Sequence, residues 1–521
     1  MRGQNAERSW LRSLFDGGRS VLLCVCPSIA CLIASSVPLN SMQAPANSPV
    51  TEIVAALREK RFDDALRMSQ TRLKSAPGDF RLWTLEGMAD AGLGKEEAAL
   101  AAYQHALKLS PRYLPALEGA AQTSYQLGEA SAEPLLLRVL ELRPDDATSH
   151  AMIGILKFHE NDCAAALPHF EKATAALTTQ PYALIEYGSC LGNAARFDEA
   201  ARVFAQALAI DGTRTPARYN LALSQWKAKR DYEALASLQP LIEASPADAD
   251  TLTLGAEIAE EKFDTQRAIE LLRRAILEHP KSADAYIQFA YLSGNHASFQ
   301  VGIDMLNAGL TQMPDEARLY LARGVLYGQL GDADKAMDDL EIANRLNPQL
   351  SFTGAAEGLL RSQQHRSAEA LAKFREAAKA HPKDAFTQYL LAEALSGESK
   401  TQDSAEFREE VAAANRAVQL DTTLVAAHDL LAGLYLEDAQ NRKAIEQSIR
   451  ESEAALKIDP VDEQALYHLM LALRKTDRKG EVPALIHRLA ELRRAAQSDQ
   501  GQKKRYQIYE VPSGNGDPPA N

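Results

Sequence analysis

Cysteine is scarce in this chain, five in 521 residues, and three of the five (Cys24, Cys26, Cys31) sit together near its start. That excludes a disulfide-dense scaffold, and the absence of any C-x-x-C or C-x-x-C-H excludes the common zinc and haem attachment patterns. There is no H-E-x-x-H either. Glycine and proline are few, 28 and 23, too few for a disordered polymer and in keeping with packed helices beside 46% apolar residues. No basic run interrupts residues 46–497, and the net charge is −13. A protein that tracks a phosphate backbone carries a basic stripe, so nucleic acid is not an expected partner.

Only one segment is apolar enough to meet a membrane. Arg2, Arg8, Arg12 and Arg19 precede the run Val21–Val37, and small residues follow it. That layout, over residues 1–44, is the layout of a signal peptide, with cleavage after Ser36 or after Ala44. A lipidated Cys31 and an uncleaved anchor are the alternatives, although the run is short for a bilayer and carries Pro27. The expected location is therefore outside the cytoplasm, in the periplasm or on the surface of a bacterium. Two cysteines remain beyond the signal, Cys163 and Cys190. The expectation is two small buried residues, with pairing as the alternative in an oxidising compartment.

What the chain has in abundance is periodicity. Ala317–Gln349 reads as two short amphipathic helices and a tight turn. Tyr320, Gly324 and Tyr327 share one stripe, Gly331-Asp332 breaks the first helix and caps the second, and Ala336, Leu340 and Ala343 form the second stripe. Pro348 closes the unit. The small residue that opens the second helix recurs at Ala65, Ala99, Ala132, Ala166, Ala200, Ala234, Ala268, Gly302, Ala336 and Ala370, each step 34 residues except one of 33. Closing prolines at 77, 111, 144, 246, 280, 314, 348 and 382 keep the same spacing. In period and signature sites the chain resembles the tetratricopeptide repeat family over 46–497. The resemblance implies an all-α fold, a right-handed superhelical solenoid of about 12–13 helix–turn–helix repeats.

The period loosens locally. Pro134 and Pro168 are placed in first turns of second helices, which tolerate proline, whereas Pro240 falls mid-helix. Beyond Pro382 the turns Ser396–Ser404 and Asp438–Arg442 lengthen, and a last pair covers 463–497 with an increasingly polar final helix. Residues 498–521, with Lys503-Lys504-Arg505 and a Gly/Pro-rich end, read as a polar, disordered tail.

Catalysis has nowhere to reside. Ala91–Glu96 (AGLGKE) imitates a phosphate loop, but Ala89 replaces the first glycine and Glu96 the metal-binding hydroxyl. His150, His159, Asp162, Cys163 and His169 crowd one unit at spacings that need not share a face, so no metal site is assigned. No enzyme activity, cofactor or small-molecule substrate is expected, and membrane contact only through an uncleaved or lipidated start.

Binding remains. The resemblance implies a concave groove lined by first helices that takes a peptide or protein partner. Mapping the family's groove positions gives Tyr182, Glu186 and Asn193; Tyr219, Asn220 and Trp226; Glu257 with Glu260; then Gln288, Tyr291 and Asn295. Aromatics supply area at low entropic cost, and amides pair with a peptide backbone. Trp226 is expected to stand exposed. The poverty of Lys and Arg in this strip argues against the family's carboxylate clamp, and Glu257, Glu260 and Glu261 favour a neutral or basic ligand. The function expected is a non-catalytic interaction scaffold. The alternative is a substrate-recognition subunit whose catalytic partner is a separate chain.

Overall fold

The computed structural model describes residues 49–348, 350, 352–364, 366–396, 404–438 and 441–503. The export segment at 1–44, the residues that open the array at 46–48, most of the Ser396–Ser404 turn and the tail from 504 onward lie outside the described residues. Within them every element is helical, and no strand occurs. The helices fall into thirteen antiparallel pairs, in line with the expected count.

Two compact bodies divide these pairs. The N-terminal body holds six, from Pro49–Arg58 with Phe62–Leu73 to Thr215–Lys227 with Asp231–Ile242, together with Glu261–Phe263. The C-terminal body begins at Pro246 and holds seven, ending with Glu463–Leu473 and Val482–Lys503. The last helix thus continues past Gln497.

Within each pair the spacing rule has a steric cause. A glycine on the first helix faces an aromatic ring sixteen residues later on the second: Gly87 and Tyr103, Gly154 and Phe170, Gly188 and Phe204, Gly358 and Phe374. A Cβ at any of these glycines would lie 2.8–2.9 Å from ring carbon, closer than packing allows. Where the same position is alanine, its partner is leucine: Ala120 and Leu136, Ala222 and Leu238, Ala256 and Leu272, Ala290 and Leu306, all buried. Gly324 with Leu340 departs from the rule, and there the backbone carbonyl of Ala336 comes within 3.1 Å of where the Cβ would stand. The first pair exchanges the volumes, with Ile53 and Ser69 both buried. Apart from the Gly324 hairpin, these cores keep roughly one summed volume.

The turns are equally regular. Residues 60, 94, 128, 161, 195, 229, 263, 297 and 331 all take positive φ, between 53° and 90°. Only three are glycine; the others are Lys60, Asn161, Ala195, Lys229, Phe263 and Ala297. A side chain in this region costs about 1–2 kcal/mol, so the hairpin geometry overrides local preference six times. Aspartates then start helices by accepting backbone N–H bonds, as at Asp79, Asp146, Asp162, Asp264, Asp332 and Asp462.

Two expectations are corrected. Pro168 is the sixth residue of Cys163–Lys172, not in its first turn. It supplies no N–H to the ladder, and the helix is short, restarting as Thr174–Leu177 after Ala173. Cys163 and Cys190 are not two independent buried thiols; they form a disulfide with Cα atoms 5.0 Å apart. It ties the second helix of the 147–180 unit to the first helix of the next, bringing together residues 27 apart in sequence.

Gly188→Ala should lower the urea midpoint through overpacking against Phe204, by about 1–3 kcal/mol. Adding Phe204→Leu should restore most of the loss, because the chain already uses alanine against leucine in four other pairs. Replacing both cysteines by serine should cost about 3–4 kcal/mol, the chain-entropy value for a loop of this length, read as a lower melting temperature that reductant no longer changes.

Candidate binding surface on the first helices

Consecutive first helices repeat one register, so residues 34 apart occupy equivalent places. In the N-terminal body one such row runs Glu118, Met152, Glu186, Asn220, and it collects polar atoms with nothing to bond. Glu118 sits on Leu114–Gln126, and its Oε1 accepts a hydrogen bond from Arg143 Nη1 at 2.6 Å while Oε2, shut off from water, has no partner. Burial pushes this carboxyl above the ordinary range although Arg143 opposes the shift. Glu186, on Pro181–Asn193, faces His159 Nε2 at 3.3 Å through Oε1; its Oε2 is likewise enclosed and unpartnered. Asn220, on Thr215–Lys227, is 1% exposed, and neither its Nδ2 nor its Oδ1 has a partner. An unpaired buried polar group costs about 1–3 kcal/mol, so three of four successive repeats carry a deficit on the same row, the exception being the one with Met152.

Tyr125 and His159 complete the surroundings of Glu186. Burial, with the Glu186 charge second, raises the Tyr125 hydroxyl well above its usual value. The hydrogen bond to Glu186 raises the His159 imidazole against the opposing effect of burial. Neither Tyr125, His159 nor Glu118 was picked out as a groove residue by the mapping from sequence. The 34-residue step from Glu186 back through Met152 to Glu118 is the signal that finds the last of them.

The other mapped residues divide. Tyr182 is half exposed, takes a hydrogen bond from Arg214 through its hydroxyl, and has the Arg214 guanidinium 4.1 Å from its ring centre. Asn193 is exposed, and its Nδ2 lies 3.6 Å from Cys163 Sγ. Tyr219 is buried. Trp226 does not stand exposed as expected: it is 5% accessible, because its indole N–H donates to Glu261 at 2.7 Å and Lys227 covers its ring at 4.4 Å. A paired, roofed indole belongs to the core. In the C-terminal body Gln288 is buried, Glu257 and Tyr291 are partly buried and Asn295 is exposed. Two of the three acids expected there are engaged: Glu260 accepts from Thr265 at 2.8 Å and faces His296 at 2.9 Å, and Glu261 accepts from Trp226.

The histidine-rich unit also disperses. His150 Nε2 meets the Pro144 carbonyl and its Nδ1 meets His169 Nδ1, both at 2.9 Å. His159 goes to Glu186, Asp162 caps its helix and Cys163 is in the disulfide. Among the described residues no three potential ligands converge, and no helix is long and apolar enough to cross a membrane.

One buried acid in the C-terminal body is a stability feature. Burial first, then the Asp462 and Asp459 charges, push the Asp429 carboxyl up to about 9. The folded chain therefore keeps a proton that the unfolded chain releases near 3.8. The contribution is fully present below 3.8 and is lost progressively as pH rises to about 9.

The tetratricopeptide repeat family matches residues 80–113 and 317–350, one helix pair in each body. This chain carries tetratricopeptide repeats. A second family, the bacterial transcriptional activator domain, matches residues 400–496. No curated protein matches the chain in sequence. Among solved structures, yeast Tom70 is 19% identical with a TM-score of 0.41, covering 88% of this chain and 95% of that one. The human IFIT1 dimer with PPP-AAAA is 13% identical at 0.36, covering 79% and 90%. The Cut9–Hcn1 hetero-tetramer of the APC/C is 16% identical at 0.34, covering 82% and 83%. At such scores these likenesses carry no argument about function. The repeats themselves belong to an architecture that generally serves as a non-catalytic scaffold for other proteins.

Asp429→Asn should raise the melting temperature at pH 8 and flatten its fall between pH 5 and pH 9; an unchanged pH profile would show that Asp429 ionises normally.

Proposed function

We propose that the chain is a non-catalytic interaction scaffold that holds an extended peptide segment of a protein partner along the first helices of its N-terminal body. The observation that carries this is the row Glu118, Glu186, Asn220, one register position whose enclosed oxygens and amide have no partner inside the protein. An extended chain lying across successive repeats offers backbone N–H and C=O groups at intervals, and these would satisfy the amide of Asn220 and the free carboxylate oxygens together. The centre of the proposed groove thus lies at 114–227, earlier in the chain than the middle of the strip mapped from Tyr182 to Asn295. Export fits the same reading: a disulfide persists in an oxidising compartment, and the segment 1–44 has the layout of a signal.

The match at 400–496 to the bacterial transcriptional activator domain favours a second reading, in which the C-terminal repeats serve a transcription-regulating assembly inside the cell. The two readings require different compartments.

Cross-linking in the native cells, with fractionation and mass spectrometry, separates them. The groove reading expects partner cross-links concentrated on 118–226 in the exported fraction, and a loss of about 1–3 kcal/mol of affinity for Asn220→Ala with the fold intact. Cytoplasmic protein cross-linked through 405–496 would favour the second reading instead.

A further inference from the structure

The row around Glu186 has a charge that one neighbouring side chain can cancel. Glu118 and Glu186 each present an enclosed oxygen without a donor, and the Asn220 amide, buried and wholly unpartnered, lies in the same register. Their fixed companions are few. Arg143 neutralises one side of Glu118, with Asp146 beside it at 3.6 Å from Arg143. Among the described residues Glu186 forms no ion pair with arginine or lysine; its ion-pair partner is His159, whose Nε2 is 3.3 Å away. Resting on the groove reading above, we propose that the partner segment carries lysine or arginine side chains that pair with Glu118 and Glu186, and that His159 releases it on acidification by taking a proton and occupying Glu186 itself.

The geometry limits who else can act. His159 ends the helix Ala147–His159, with the Phe158 ring 5.6 Å away edge-on. On its own helix Lys157 is committed to Glu133 and Glu160, at 2.7 and 3.0 Å. Asp162, at the start of the next helix, caps the N–H of Ala165. From Leu114–Gln126 the nearby titratable group is Tyr125, a phenol that stays neutral at these pH values. From Pro181–Asn193 it is Glu186. When His159 is neutral, the Glu186 charge is uncancelled and attracts an incoming cation to the accessible part of its side chain, 18%. When His159 is protonated, the pair His159–Glu186 is satisfied internally, and a lysine or arginine finds no net charge there and a like charge beside it. The imidazole, already inclined toward protonation by this contact, takes its proton above its ordinary value of 6.5. Affinity for a cationic segment therefore falls as pH drops through that point. His159 acts through Glu186 and does not itself contact the peptide.

The test uses the full chain and two capped peptides of eight residues, one alternating lysine with alanine, the other glutamine with alanine. Neither changes charge between pH 8 and pH 6. The lysine peptide should bind more tightly at pH 8 than at pH 6 by roughly tenfold, within the usual range for coupling between two binding events. His159→Gln should flatten that ratio, and His159→Lys should hold binding at the weak level at both values. Titration of Glu118, whose carboxyl is also raised, would leave the ratio intact in His159→Gln, so that result overturns the proposal. Equal affinity at both pH values in the parent chain overturns it as well. If the lysine peptide fails to bind while native cross-links still fall on 118–226, the ligand class is wrong and the groove stands. If neither peptide binds and no cross-link reaches that row, the groove reading fails with it.

Discussion

The contact on which each repeat depends is the approach of the second helix to the first at one small residue. Where glycine stands there, an aromatic ring fills the gap in four hairpins, Gly324 with Leu340 being the exception; where alanine stands, leucine does. A helix pair has little interior of its own, so one ring makes up much of what can be buried, and the hairpin closes only when the two volumes are complementary. This fixes the separation of the two helices, and with it the span of the turn. The positive φ at the same place in nine successive turns follows: the chain must reverse within three residues or so, and the residue that does it need not be glycine.

Much of this was legible in advance, for a physical reason. Small buried residues and closing prolines repeat in sequence because they repeat in space, so Ala65 through Ala370 announce the pairs and all of these positions are buried. The left-handed turns were legible only at Gly94, Gly128 and Gly331; at Lys60 or Phe263 nothing in the residue type signals the backbone state, because tertiary closure imposes it. Trp226 was misjudged for a related reason. A large amphipathic side chain at a surface register reads as exposed, but Glu261, 35 residues away, supplies an acceptor for its N–H and removes the need for water.

The candidate surface was half legible. Residue types at Glu186 and Asn220 pointed to recognition, and acidity at 257–261 extended the mapped strip into the C-terminal body. Sequence shows charge; it does not show which charges are already paired. Glu260 and Glu261 are engaged, whereas Glu118 and Glu186 each retain an oxygen. That distinction depends on side-chain partners far away in sequence, Arg143 at 25 residues in the same repeat and His159 at 27 in the repeat before, and no local pattern encodes it.

The disulfide between Cys163 and Cys190 bears on how the array behaves under load. A stack of repeats pulled from its ends can peel away one hairpin at a time, since each holds only its neighbours. Here the second helix of one hairpin is stapled to the first helix of the next, so peeling that arrives from either side meets a block of two hairpins. The 26 residues between the cysteines cannot be paid out as slack until the bond is broken. A repeat array built this way has a mechanical stop in the middle of its N-terminal body, beside the row of residues that would hold its partner.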